Sequence, residues 1–314
     1  GFVCGLPHQD NCEDDDRGEV EGTVSGSCAY TVKAMNASTH PRSLLQRHPV
    51  SAYFVLTYCV SWAGAFFMAL PWLMRHQAIP KFTGLMMFPV MLLGPSLVGI
   101  LLTALVDGRS GLRDLFSRMR RVQVPARWYA VLLIPPGVML TVLICLQVIV
   151  SPVYKHNMFF VGIAFGCVAG FFEEIGWMGY AFPKMRAKWN GLAASILLGV
   201  LWGLWHFPVV DYLGTATPHG AYWLRYFLAF IAAMTAMRVL ICWVYTHTGS
   251  VLLAQLIHAI STGSLVVLSP AHVTAAQEAF WYSIYAGALW LMVATIVMAN
   301  GWQGLNVPAR RRPE

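Results

Sequence analysis

Successive runs of mostly apolar residues, separated by short polar stretches, constrain this chain more than any other feature. A helix advances about 1.5 Å per residue, so crossing roughly 30 Å of hydrocarbon takes about 20 apolar residues, the length these runs approach. A soluble core has no room for that much apolar surface, since 57% of the residues are hydrophobic and only 11% are charged. The spacing predicts an all-α polytopic membrane bundle of about eight transmembrane helices, over residues 50–74, 84–106, 128–150, 158–181, 191–210, 224–245, 249–268 and 279–300. The lipid bilayer is therefore the first partner.

Three regions follow from this pattern. Residues 1–48 are polar, with an acidic run at Glu13–Asp16, and read as a disordered cytoplasmic tail whose part up to residue 34 the membrane domain does not need. Residues 49–300 form the transmembrane domain, and 301–314 a basic cytoplasmic tail. The net charge of +7 could suggest nucleic acid, but the cations cluster in loops beside apolar runs, which is a topology signal and predicts no nucleic-acid partner. Arg109, Arg113, Arg118, Arg120, Arg121 and Arg127 fill the 107–127 loop, Lys184, Arg186 and Lys188 follow the fourth helix, and Arg310–Arg312 end the chain. All three sets share one face in an eight-helix scheme. Positive charge is retained in the cytoplasm, so both termini are expected there, in a plasma-membrane protein.

The chemistry concentrates in three apolar helices. In the fourth, Gly162, Gly166 and Gly170 make a small-residue stripe that lets a neighbour approach closely, and Glu173 and Glu174 flank it. Two adjacent acids at the cytoplasmic end of a helix would be tolerable, but within hydrocarbon an ionisable side chain is costly and functional by default. The fifth helix carries Trp202 and His206 one turn apart, with Gly199 and Gly203 again permitting close packing. The seventh aligns Gln255, His258 and Thr262 on one face.

Together these are the residue types needed to hydrolyse an amide in a shielded cavity: a carboxylate to deprotonate water, an imidazole to hold it, and a further donor for the oxyanion. One glutamate and two histidines also match a catalytic zinc set with an open position, so Glu173, His206 and His258 are candidate ligands of a divalent metal, zinc first. Depth gives a rough check. Counted from the predicted cytoplasmic ends, Glu173 and His258 lie about 13 Å deep and His206 about 22 Å, which predicts that the fifth helix begins in the cytosol.

These residues resemble the CPBP (CAAX protease and bacteriocin-processing) family of intramembrane proteases. Its pattern of Glu-Glu-x-x-x-Arg, Phe-x-x-x-His and His-x-x-x-Asn is met by Glu173-Glu174 through Met178, by Trp202 through His206, and by His258 through Thr262. Arg47-His-Pro, Gly94-Pro95 and Trp128-Tyr129 extend the likeness over about residues 45–300. It implies a metalloprotease-type endopeptidase acting near the cytoplasmic leaflet on a peptide or membrane-anchored protein. It also implies that Glu173 and His206 activate water, supported by Glu174, while His258 and Thr262 stabilise the oxyanion.

Three positions depart from the pattern. Trp202 for phenylalanine reads as a modest change. Thr262 for asparagine keeps one hydroxyl donor but loses the amide. Met178 for arginine removes the cation that would compensate the two carboxylates, leaving them to share a proton. Arg238 in the sixth helix reads as a snorkelling residue, with pairing to Glu173 or Glu174 as the alternative. Two further functions remain open on these departures: an inactive relative that binds a membrane partner, in the manner of an immunity protein, and a proton-coupled transporter.

Overall fold

The computed structural model describes residues 43–210 and 219–300. Most of the predicted N-terminal tail and all of the basic C-terminal tail lie outside the described residues; Leu44–Arg47, assigned above to the tail, form a helical turn capped reciprocally by Ser43 and Gln46. The described residues contain helices and no strand.

The apolar runs become α1 (Pro49–Leu73), α2 (Lys81–Leu102), α4 (Ile134–Ile149), α5 (Val161–Gly176), α6 (Gly191–Trp205), α7 (Trp223–Thr248), α8 (Val251–Leu268) and α9 (Ala275–Asn300). Between α2 and α4, part of the arginine-rich stretch read as a loop is an amphipathic helix, α3 (Gly108–Met119). It follows a π-helical turn and Gly108, whose φ of 67° only glycine adopts readily.

Seven of the described helical stretches are long and apolar enough to cross a membrane, which bears out the polytopic bundle. The remaining apolar helix is α6, whose 15 residues reach about 22 Å, short of the full hydrocarbon thickness. The sequence reading carried it to residue 210, but the chain turns at His206 before a separate helical turn, Phe207–Val210. Large side chains such as Phe67, Leu133, Val148, Ile149 and Leu291 face outward, as a hydrocarbon solvent allows.

Two close packings position the site. α5 lies against α8 and also against α2, and α7 lies between α6 and α9. The glycine stripe explains the first. A methyl group at Gly166 would overlap the Ala259 carbonyl and sit 2.6 Å from the Gly263 amide nitrogen, and one at Gly162 would sit 2.8 Å from that of Val267. The two backbones touch because nothing larger than hydrogen stands between them. On the other side, added methyls at Gly199 and Gly203 would meet Thr235 at 2.7 Å and Ile231 at 3.2 Å, so α6 sits directly on α7. Gly249, at φ 61°, then ends α7 in a left-handed cap and returns the chain into α8.

α5 does not stop at its last α-helical residue. A π-helical turn, Trp177–Ala181, and a last helical turn, Phe182–Arg186, carry the same rod onward. This adds a second source to the depth mismatch noted above. Glu173 is 13 residues from Arg186 and His206 is 15 from Gly191, or about 20 and 22 Å. Those two levels agree because the fourth helix is longer than its apolar run, while His258, seven residues or about 10 Å past Val251, stands beside Glu173, so the α5 rod and α6 both extend past the start of α8.

Candidate active site

Glu173 and Glu174 are fully buried at the end of α5, His258 is 1% exposed on α8 and Arg238 0% exposed on α7. Groups that lose water at this depth must find partners inside the protein. Each glutamate finds a different set.

Glu173 is held on one side only. Its Oε2 accepts from the indole N–H of Trp202 at 2.6 Å and of Trp177 at 3.0 Å. Its Oε1 has no hydrogen-bond partner and lies 4.0 Å from Nε2 of His258. Trp202 is thus no modest replacement for phenylalanine, because its nitrogen makes the shortest bond to the carboxylate. Trp177, four residues after Glu173, escaped the sequence reading. Its signal is that spacing, which puts an indole donor one turn from an intramembrane acid.

Glu174 faces the other way. Nη1 of Arg238 donates to both its oxygens at 2.7 and 2.8 Å, and Nδ1 of His258 stands 2.6 Å from Oε1. Pairing therefore replaces the snorkelling reading of Arg238, and the two carboxylates are not left without a cation. The guanidinium also lies over the Trp202 ring, 4.0 Å from its centroid. Met178, where the pattern has arginine, is fully buried. The neighbouring carbonyl of Gly179 accepts from Arg118 Nη2 at 2.9 Å and that of Met178 from Nη1 at 3.4 Å. An arginine of α3 thus donates to two carbonyls of the π turn.

His206 closes α6. Its Nδ1 is 2.8 Å from the Trp202 carbonyl, so Nδ1 carries the proton toward that oxygen and Nε2 is left for other partners. A cavity of ≈ 190 Å³ is lined by Glu173, Trp202, His206 and Thr262 together with apolar walls that include Phe88, Phe165 and Phe230. The structure thus brings Glu173, His206 and Thr262 to one cavity and His258 to its edge through Glu173, while Glu174 stands behind His258. As donors, a carboxylate and two imidazoles suit zinc, and each imidazole has its Nδ1 engaged in the way that orients metal-binding histidines. As placed, however, no three His, Cys, Asp or Glu side chains among the described residues converge closely enough to hold one ion.

Over this region the chain is similar to known proteins. Residues 155–264, which include all five candidate positions, match the family described as type II CAAX prenyl endopeptidase Rce1-like. Over 259 residues the chain is 26% identical to a protein of Methanococcus maripaludis named CAAX prenyl protease 2, a match covering 78% of this chain and 90% of the relative.

Proposed function

Taking the likeness of this segment to the Rce1-like branch of the CPBP family as premise, we propose that the chain is an intramembrane endopeptidase that hydrolyses a peptide bond with a water activated by Glu173. The observation that carries the reading is the unpartnered Oε1 of Glu173, buried and facing His258 at 4.0 Å in a cluster whose cavity also holds His206. A buried carboxylate oxygen without a partner calls for a water. One water about 2.8 Å from both Oε1 and Nε2 would subtend roughly 90° between them, an acceptable hydrogen-bonding angle.

Glu173 takes a proton from this water as its oxygen attacks the scissile carbonyl carbon. The indole bonds fix Oε2 and leave Oε1 as the base. His206, with its proton held on Nδ1, offers Nε2 as an acceptor that orients the water's second hydrogen. His258 directs Nδ1 at Glu174, 2.6 Å from Oε1, and Nε2 at the Glu173 side of the cluster. His258 then donates from Nε2, and Thr262 from its hydroxyl, to the oxyanion. Glu173 passes its proton to the leaving amine nitrogen as the C–N bond breaks. The aromatic and aliphatic walls suit an apolar side chain next to that bond, as in a CAAX-type prenylated end or another membrane-anchored peptide. With the arginine-rich 107–127 stretch in the cytoplasm of a plasma-membrane protein, cleavage takes place near the cytoplasmic leaflet.

The test is cleavage of a fluorogenic farnesylated CAAX peptide by the protein in nanodiscs. Glu173→Gln keeps the shape and removes the base, and should lower kcat by about 10²–10⁴. Equal cleavage by the parent and this variant would remove Glu173 from the mechanism.

A further inference from the structure

We infer that Arg238 is a positioning residue that stands in, from a neighbouring helix, for the arginine absent at Met178, and that it holds both arms of the glutamate pair in register. The inference rests on the endopeptidase reading above. Its starting point is a guanidinium with no exposed surface on α7, the most deeply packed of the membrane-spanning helices. A charge there is expensive unless it has a task.

Two contacts define the task. Through Nη1, Arg238 grips both oxygens of Glu174, whose Oε1 also meets Nδ1 of His258. Through its flat face it stacks on Trp202, whose N–H donates to Glu173. One side chain therefore touches both the Glu174–His258 arm and the Trp202–Glu173 arm without touching the cavity. Its Nε and Nη2 have no hydrogen-bond partner, so the stack on the indole is what fixes the plane of the guanidinium.

The geometry also accounts for Met178. Residue 178 comes four after Glu174, where an arginine would reach the same carboxylate from within its own helical rod. Here that place is filled by a fully buried thioether, and the cation arrives from α7, 64 residues away in sequence. A cation thus still faces Glu174, supplied by a different helix. A lysine at 238 could supply the charge but not the flat stacking face.

The experiment compares Arg238→Met, Arg238→Lys and the double variant Arg238→Met with Met178→Arg, in nanodiscs, by peptide cleavage and by thermal unfolding. Misplacing reacting groups by about 1 Å costs about 100-fold, so Arg238→Met should lower kcat about 100-fold with KM changed less than about threefold. The lysine variant should fall between that and the parent, and adding Met178→Arg should restore at least about tenfold of the loss. A folded Arg238→Met protein with kcat within about threefold of the parent overturns the inference. If Arg238→Met does not fold, the double variant decides: recovery of folding with activity supports the inference, and recovery of folding alone overturns it. A parent that cleaves no peptide refutes the endopeptidase reading instead. The shifts in unfolding midpoint of Arg238→Met, Glu174→Gln, Trp202→Phe and the two double variants that join Arg238→Met to each of the others then test the positioning contacts, since coupling of Arg238 to both residues supports them and additivity overturns them.

Discussion

Replacing Gly170 by alanine adds one methyl group that meets only backbone of α8 among its nearest atoms, yet it should disable the site. The added carbon would lie 2.5 Å from the amide nitrogen of Ala259 and from the carbonyl oxygen of Gln255, where ordinary contact begins at 3.4 Å. Both obstacles are backbone, so no side-chain rotation relieves the overlap and α8 must retreat by about 0.9 Å. His258, the residue before Ala259, moves with it. Its 2.6 Å contact with Glu174 would open to about 3.5 Å, the limit of a hydrogen bond, if the retreat were wholly along that direction. Loss of a charge-assisted bond costs about 1.5–3 kcal/mol, and the displacement should lower kcat about 100-fold. Peptide cleavage and thermal unfolding in nanodiscs measure the two effects. Gly287→Ala is the control, because no atom lies within 4 Å of its added carbon. It should be neutral or stabilising by up to about 1 kcal/mol through helix propensity, with activity unchanged. A Gly170→Ala protein with the parent's rate and unfolding midpoint would refute the claim that backbone contact between α5 and α8 sets the catalytic distances.

Two further outcomes are expected. Trp202→Phe keeps the ring and removes the 2.6 Å donor to Glu173, so cleavage should slow about tenfold through loss of one hydrogen bond to a charged group; an unchanged rate would show that Trp177 alone suffices to hold Oε2. Ser110→Cys, in a background without other cysteines, places a thiol on an exposed position of α3, and an impermeant reagent should label it only from the cytoplasmic side. Labelling from outside alone would invert the topology.

How much of this was legible in the residues differs by level. The length and apolarity of the runs determined an all-helical membrane bundle, because a bilayer demands about 20 apolar residues per crossing whatever the rest of the chain does. The Gly162, Gly166 and Gly170 stripe foretold a close neighbour, and the acids and histidines marked the chemistry, because hydrocarbon penalises every polar side chain that lacks a task. These are local properties, readable one segment at a time.

Other features depend on which segments meet. The chain alone did not reveal that α5 continues through a π turn to Arg186, since that register is stabilised partly by Arg118 of α3 on the carbonyls of Met178 and Gly179. Nor did it reveal that α6 ends at His206, whose ring folds back on the Trp202 carbonyl. Trp202 looked like a change of size and proved to be a donor, because its value lies in where Glu173 sits across the helix interface. Arg238 is the clearest case. Met178 announced a missing cation, but only the packing of α7 against α6, with Glu174 alongside, decided which arginine supplies it, because an ion pair in hydrocarbon is set by distance in space and not by spacing along the chain.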